Sequence, residues 1–246
     1  MFNNMKAIIL LAGDSSRMGS LCLNTPKCLL KLEKNKTMIE HQLQILKSCN
    51  IKDIVLVLGF KQELIKKKVK SLSGLNKKRI IIYSNPLYKI TENAFSLWIS
   101  KESFDDDLII INGDVLFSKE ALVDLIKDKN TYSLLVQKKK CDKEDQKVEV
   151  DNHSIIKIGK KISLIDAFGE FLGIGKIRKK GSNLFKRKLF EEIEKNPLIY
   201  WPEVFNSIIE KNYKVNAVVV NSLYSDMDKK EDYLKIQKIL KKQIKK

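Results

Sequence analysis

The chain has 246 residues, room for one large α/β domain or two small ones, and 43% of them are hydrophobic, enough for a packed core, which excludes a disordered protein. No apolar run reaches the roughly eighteen residues of a membrane span, and Met1 to Lys6 lacks the charged start and cleavage site of an export signal. The net charge of +17 is nearly all lysine, because arginine occurs only at Arg17, Arg79, Arg178 and Arg187. Lysine spread along the chain, without the arginines and interleaved aromatics of a nucleic-acid reader, predicts no specific nucleic-acid partner. It does favour attraction of a polyanion such as a nucleotide.

In chain order, Lys6–Leu11 is an almost continuous apolar run, the pattern of a strand buried on both faces. Thr37–Lys47 is an amphipathic helix with Thr37 as its cap. Asp53–Leu58 is a second strand, Lys61–Lys70 a helix, Arg79–Tyr83 a third strand and Glu92–Ser100 a helix. Leu108–Ile111 is a fourth strand, followed by a helix over Lys119–Lys127 and a strand over Tyr132–Gln137. The rhythm then changes. Lys147–Val150 and Ile155–Ile158 flank Asp-Asn-His-Ser as a hairpin, and Glu170–Ile177 is another strand. Helices over Gly181–Glu194 and Pro202–Lys211, a strand over Lys214–Val220 and a helix over Lys229–Ile244 complete the chain. The alternation predicts a Rossmann-like three-layer α/β/α fold with a mostly parallel central sheet and a small inserted β element. No linker or repeat interrupts residues 1–246, so a single domain is expected, with residues 145–180 as its β-rich insertion.

Cys22, Cys28, Cys49 and Cys141 form no C-x-x-C pair, and the histidines are only His41 and His153. Neither a zinc site nor a disulfide framework is expected, and a reduced, cytoplasmic protein fits best. His41 falls in a helix and His153 in a turn, both read as structural.

Three clusters carry chemistry. The first strand runs into Leu11-Ala12-Gly13-Asp14-Ser15-Ser16-Arg17, where small residues let backbone N–H groups approach an anion. Arg17 adds a forked cation suited to phosphate, and Pro26-Lys27 follows on the same sheet edge. A Walker loop is absent. The strand Ile109–Ile111 ends in Asn112-Gly113-Asp114, and Asp226-Met227-Asp228 precedes the last helix. Ligands in such sheets bind at the carboxyl ends of the strands, where two aspartates suit magnesium. Read alone, Asp114 is equally a turn residue and Asp228 equally a helix cap.

Leu-Ala-Gly-x-x-Ser-Arg-Met followed by Pro-Lys resembles the signature of the nucleotidyltransferases that activate sugars and alcohol phosphates. The usual form, L-A-A-G-x-G-[ST]-R, has alanine where this chain has Leu11 and glycine where it has Ser15. The stretches Glu92–Leu97, Ile111–Phe117, Glu144–Val148, Gly169–Ile174 and Asp226–Tyr233 resemble the branch of phosphocholine and 2-aminoethylphosphonate cytidylyltransferases. The resemblance runs from Met5 to about Leu240. It implies transfer of CMP from CTP to phosphocholine or 2-aminoethylphosphonate, with magnesium as cofactor and pyrophosphate as leaving group. It implies nucleotide contacts at Leu11, Ala12, Gly13, Asp14, Ser15, Ser16, Arg17, Lys27, Asn93 and Ser96. Catalysis would rest on Arg17, Lys27 and Asp114, with metal at Asp114, Asp228 and Asp226. Here Asp226 replaces the usual, longer glutamate. Lys160 would meet the acceptor phosphate. A cationic acceptor tail needs aromatic faces or carboxylates, for which Glu170, Phe171, Tyr200, Trp201, Glu203 and Tyr224 are available. No membrane insertion is expected, and a homo-oligomer stays open. The rival readings are a sugar-1-phosphate nucleotidyltransferase of the same fold and a non-catalytic nucleotide-binding module.

Overall fold

The computed structural model describes residues 5–33, 36–72, 80–221 and 224–244. Among these, β1 (Met5–Leu11) is the centre of the parallel half of a nine-stranded sheet. It pairs in parallel with β4 (Asp53–Leu58) on one side and β6 (Asp107–Asn112) on the other, with Ile8 level with both Val55 and Ile110. Strand β5 (Ile80–Ser84) pairs in parallel with β4 and forms the edge. The expected start of this strand at Arg79 lies outside the described residues.

The unbroken apolar runs have a direct cause. Alternate side chains of β1 enter two separate cores. Ala7, Ile9 and Leu11 pack under α1 (Met38–Ser48), α2 (Gln62–Ser71) and α4 (Lys119–Lys127). Ile8 and Leu10 pack under α3 (Asn93–Ile99), α5 (Lys179–Lys195) and α6 (Val204–Ile209). Helix α1 starts at a capping box, in which Thr37 and Glu40 satisfy each other's backbone N–H groups. Its His41 meets the carbonyl of Phe117 at 2.9 Å, a structural contact.

Beyond β6 the sheet is mixed. Strand β11 (Gly169–Ile177) runs antiparallel between β6 and β8 (Tyr132–Lys138), and β8 pairs in parallel with β12 (Val215–Val219). The hairpin of β9 (Lys147–Asp151) and β10 (Ser154–Ile158) turns through Asn152 and His153, both with positive φ, the geometry of a tight hairpin turn. It does not hang off the domain: β10 pairs with β12 and β9 with β11, so the insertion continues the sheet.

Two short ribbons escaped the sequence reading. Strands β2 (Lys31–Glu33) and β3 (Lys36–Thr37) form one. Strands β7 (Val115–Phe117) and β13 (Tyr224–Asp226) form the other, antiparallel, with Asp226 opposite Val115. Helix α7 (Lys230–Ile244) then closes a third core in which Met18, Leu116, Met227 and Ile236 pack together.

Candidate active site at the carboxyl edge of the sheet

A cleft of about 530 Å³ opens along the carboxyl ends of β1 and β6 and continues over β11 to the 139–146 loop. That is ample room for a nucleotide and a small second ligand. One end is built by β1 and β6. Gly113 follows β6 and donates its N–H to the carbonyl of Leu10 at 2.9 Å; a Cβ there would stand 2.5 Å from that oxygen, so only glycine permits the approach. Asp114 is thereby held beside the loop that leaves β1.

Within that loop Ser15 takes the left-handed conformation at φ 61°, and its Oγ accepts a hydrogen bond from the backbone N–H of Lys27 at 3.1 Å. The side chain of Lys27 then donates to Asp114 Oδ2 at 2.5 Å and to Asp228 Oδ1 at 3.2 Å. Arg17 donates to the other oxygen of Asp228 at 2.8 Å. The β7–β13 ribbon explains the convergence: it sets Asp226 opposite Val115, so that Asp114, just before β7, and Asp228, just beyond β13, come side by side, and buried Met227 anchors the second. Burial opposes the charge on Lys27, but Asp114 and Asp228 outweigh it and hold the pKa above the ordinary lysine value. Burial likewise opposes ionisation of Asp228, yet Lys27 and Arg17 keep it below its ordinary value. Asp226 behaves oppositely. Burial, then the charges of Asp228 and Asp114, push it up to about 6.

The other end is lined by Lys139, Asp145, Gln146, Lys160, Glu170 and Tyr200. Lys139 bridges Asp145 at 3.0 Å and Glu170 at 2.9 Å. Burial pushes Glu170 up to about 7 against the pull of that ammonium. The ammonium of Lys160 lies 5.1 Å from the centre of the Tyr200 ring and 3.9 Å from Glu144.

Of the residues singled out from sequence, the cleft brings together Leu11, Gly13, Ser15, Arg17, Lys27, Asn93, Asp114, Lys160, Glu170, Phe171, Tyr224, Asp226 and Asp228. Others stand elsewhere. Ser96 is buried behind the wall and accepts from Asn85 Nδ2 at 3.0 Å. Trp201 is fully buried. Its indole N–H donates to Asn112 Oδ1 and its backbone N–H to Asn93 Oδ1, both at 2.9 Å, so it braces the wall and offers no face to a ligand. Glu203 accepts from Gln146 Nε2 at 3.0 Å, outside the lining. Ala12 is buried and accepts from the N–H of Phe60. Asp14 and Ser16 are exposed on the loop, outside the lining, and bonded to each other. Lys139 and Asp145 were missed, because the lysine sits in the run Lys138–Lys140 and reads as a solvated charge.

Residues 7–136 match the MobA-like NTP transferase domain. The chain is 29% identical over 240 residues to a choline-phosphate cytidylyltransferase of Streptococcus pneumoniae, covering 96% of this chain and 99% of that one. It is 25% identical over 249 residues to a CTP:phosphoglutamine cytidylyltransferase of Campylobacter jejuni, covering 91% and 96%. Its fold matches the inositol-1-phosphate CTP transferase from T. maritima with a TM-score of 0.80 at 23% identity, covering 97% and 98% of the two chains.

Proposed function

The chain belongs to the MobA-like NTP transferase family, and from that premise we propose that it transfers CMP from CTP to a small phosphorylated amino alcohol or the matching phosphonate. Phosphocholine and 2-aminoethylphosphonate are the acceptors meant. The observation that carries the reading is the single ammonium of Lys27 shared between Asp114 and Asp228, with Arg17 on the same carboxylate. The two relatives named for CTP-dependent activity, similar over most of their length, support the choice of nucleotide.

The acceptor oxygen is already ionised at neutral pH and needs no general base. It forms a bond to the α-phosphorus as the bond to the β-phosphate oxygen breaks, and pyrophosphate carries the electron pair away. Catalysis then consists of positioning and charge neutralisation. Lys27 neutralises charge on the α-phosphate, the Gly13–Arg17 loop holds the remaining phosphates, and Lys160 meets the acceptor phosphate.

The carboxylates fit magnesium. Asp226, pushed up first by burial and then by the charges of Asp228 and Asp114, brings a third carboxylate to a corner whose cations are Lys27 and Arg17. Magnesium is commonly taken by one or two carboxylates plus substrate phosphates. Asp114 and Asp228 would hold it, with Asp226 beside them; bound there, it supplies the positive charge that the phosphates require. A reduced, cytoplasmic setting fits the four free thiols.

The test is pyrophosphate release with CTP, UTP, GTP, ATP or dTTP against phosphocholine, 2-aminoethylphosphonate and glucose 1-phosphate, with magnesium or with EDTA. Release with CTP and an amino-alcohol acceptor, abolished by EDTA, is expected. Release only with glucose 1-phosphate makes the protein a sugar-1-phosphate nucleotidyltransferase. Nucleotide binding without any release makes it a non-catalytic binding module.

A further inference from the structure

Lys147 opens β9 and is 1% exposed, yet among the described residues no carboxylate lies within ion-pair distance of it. An ammonium enclosed without a counter-charge costs several kcal/mol unless other acceptors receive its protons. Here the acceptors are main-chain carbonyls. Nζ lies 3.3 Å from the oxygens of Asp142, Lys143 and Asp145. All three belong to the irregular 139–146 loop that forms the far end of the cleft.

This arrangement sets the direction in which the loop faces. With its carbonyls turned inward onto one cation, its side chains turn outward, and Asp142, Glu144, Asp145 and Gln146 all line the cleft. Asp145 is thereby presented to Lys139, which also holds Glu170. Lys147 reaches the opposite wall through its backbone. Its carbonyl accepts from Gly159 N at 2.9 Å, the residue directly before Lys160, and its strand register places it opposite Glu170 on β11. Three separate pieces of the far end therefore converge on one residue, whereas its contacts do not include the Ser15, Lys27, Asp114 and Asp228 end.

We propose that Lys147 is a positioning residue for the acceptor, an internal cation that holds the 139–146 loop and the Lys160 turn in the arrangement that receives the second substrate. The proposal rests on the transferase reading above. A lysine serving packing alone would be replaceable by a neutral side chain of equal length. A lysine that orders the acceptor wall would not, and its loss would separate the two substrates.

The experiment compares wild type with Lys147→Met, which retains the length and the apolar stem, in steady-state pyrophosphate release with each substrate varied in turn. Amide hydrogen exchange of residues 139–146 is followed in parallel. In the variant the acceptor KM rises roughly tenfold or more while the CTP KM and kcat at saturating acceptor stay within about twofold, and the loop amides exchange faster. Lys147→Gln, which retains a donor, is read the same way should Lys147→Met fold too poorly to assay, and it falls between the two. Equal changes in both KM values, unchanged KM values, or unaltered loop exchange would each overturn the proposal while leaving the transferase reading intact. A wild-type protein that turns over no acceptor removes both.

Discussion

The hydroxyl of Ser15 accepts a hydrogen bond from the backbone N–H of Lys27 at 3.1 Å, and Ser15 does so from a left-handed backbone at φ 61°. The residue standing in the glycine position of the family signature thus accepts strain and in return ties the loop after β1 to the loop that carries Lys27. Ser15→Ala retains the unfavourable backbone and loses the tether, for a loss of about 1 kcal/mol. Ser15→Gly also loses the tether but relieves the backbone, so its stability lies within about 0.5 kcal/mol of wild type. Urea unfolding of the three proteins checks the order, and an alanine variant as stable as the glycine variant would refute it.

Trp201 is predicted to act through the wall it braces. Trp201→Phe leaves the Oδ1 of Asn112, a half-buried residue of the cleft wall, without its 2.9 Å donor. A loss of about 1–3 kcal/mol is expected, with acceptor KM and CTP KM moving together. A selective rise in acceptor KM would instead put the indole in contact with the second substrate.

Lys176 gives the stability a pH dependence. It is 1% exposed, donates to the carbonyls of Leu125 and Asp128, and has the Asp128 carboxylate only at 3.9 Å. Burial lowers its pKa to about 8, because a carboxylate so far away does not offset the lost solvation. The unfolded chain therefore binds more protons than the folded one between about pH 8 and the ordinary lysine value near 10.4. Stability contributed at this site rises with pH across that window. Denaturation midpoints of wild type and Lys176→Met at pH 7.5 and 10 test this. The wild-type midpoint gains relative to the variant at the higher pH, and a constant difference contradicts the account.

The thiols should label in a fixed order. Burial pushes Cys28 up to about 12, and Cys22, Cys28 and Cys141 are buried, whereas Cys49 is half-buried. Since the thiolate is the nucleophile, iodoacetamide at pH 8 modifies Cys49 first and Cys28 only on unfolding. Mass spectrometry of the labelled peptides reads the order directly, and early modification of Cys28 would count against it.

The parallel half of the fold was legible because β1, β4 and β6 carry apolar residues on both faces, a pattern that only a sheet covered twice requires. Gly113 and Asp114 were legible as a strand end for the same reason. The partnership of Asp114 with Asp228 was only half legible, since it depends on the β7–β13 ribbon, three residues on each side, too short for a periodic signal. Helical spacing placed the region of Trp201 correctly but said nothing of the direction of its ring, which is set by Asn93 and Asn112 from distant parts of the chain. Lys139 and Lys147 were hidden by composition: in a chain with 47 basic residues, a buried lysine looks like every other.

The most direct measurement is magnesium-dependent pyrophosphate release from CTP and the amino-alcohol acceptors by wild type, Lys27→Met and Asp114→Ala, purified side by side. Turnover by wild type and a loss of about 100-fold or more in kcat for each variant, with each still folded, is the predicted result. Variants that retain wild-type kcat would contradict the claim that the ammonium shared by Asp114 and Asp228 is the catalytic centre.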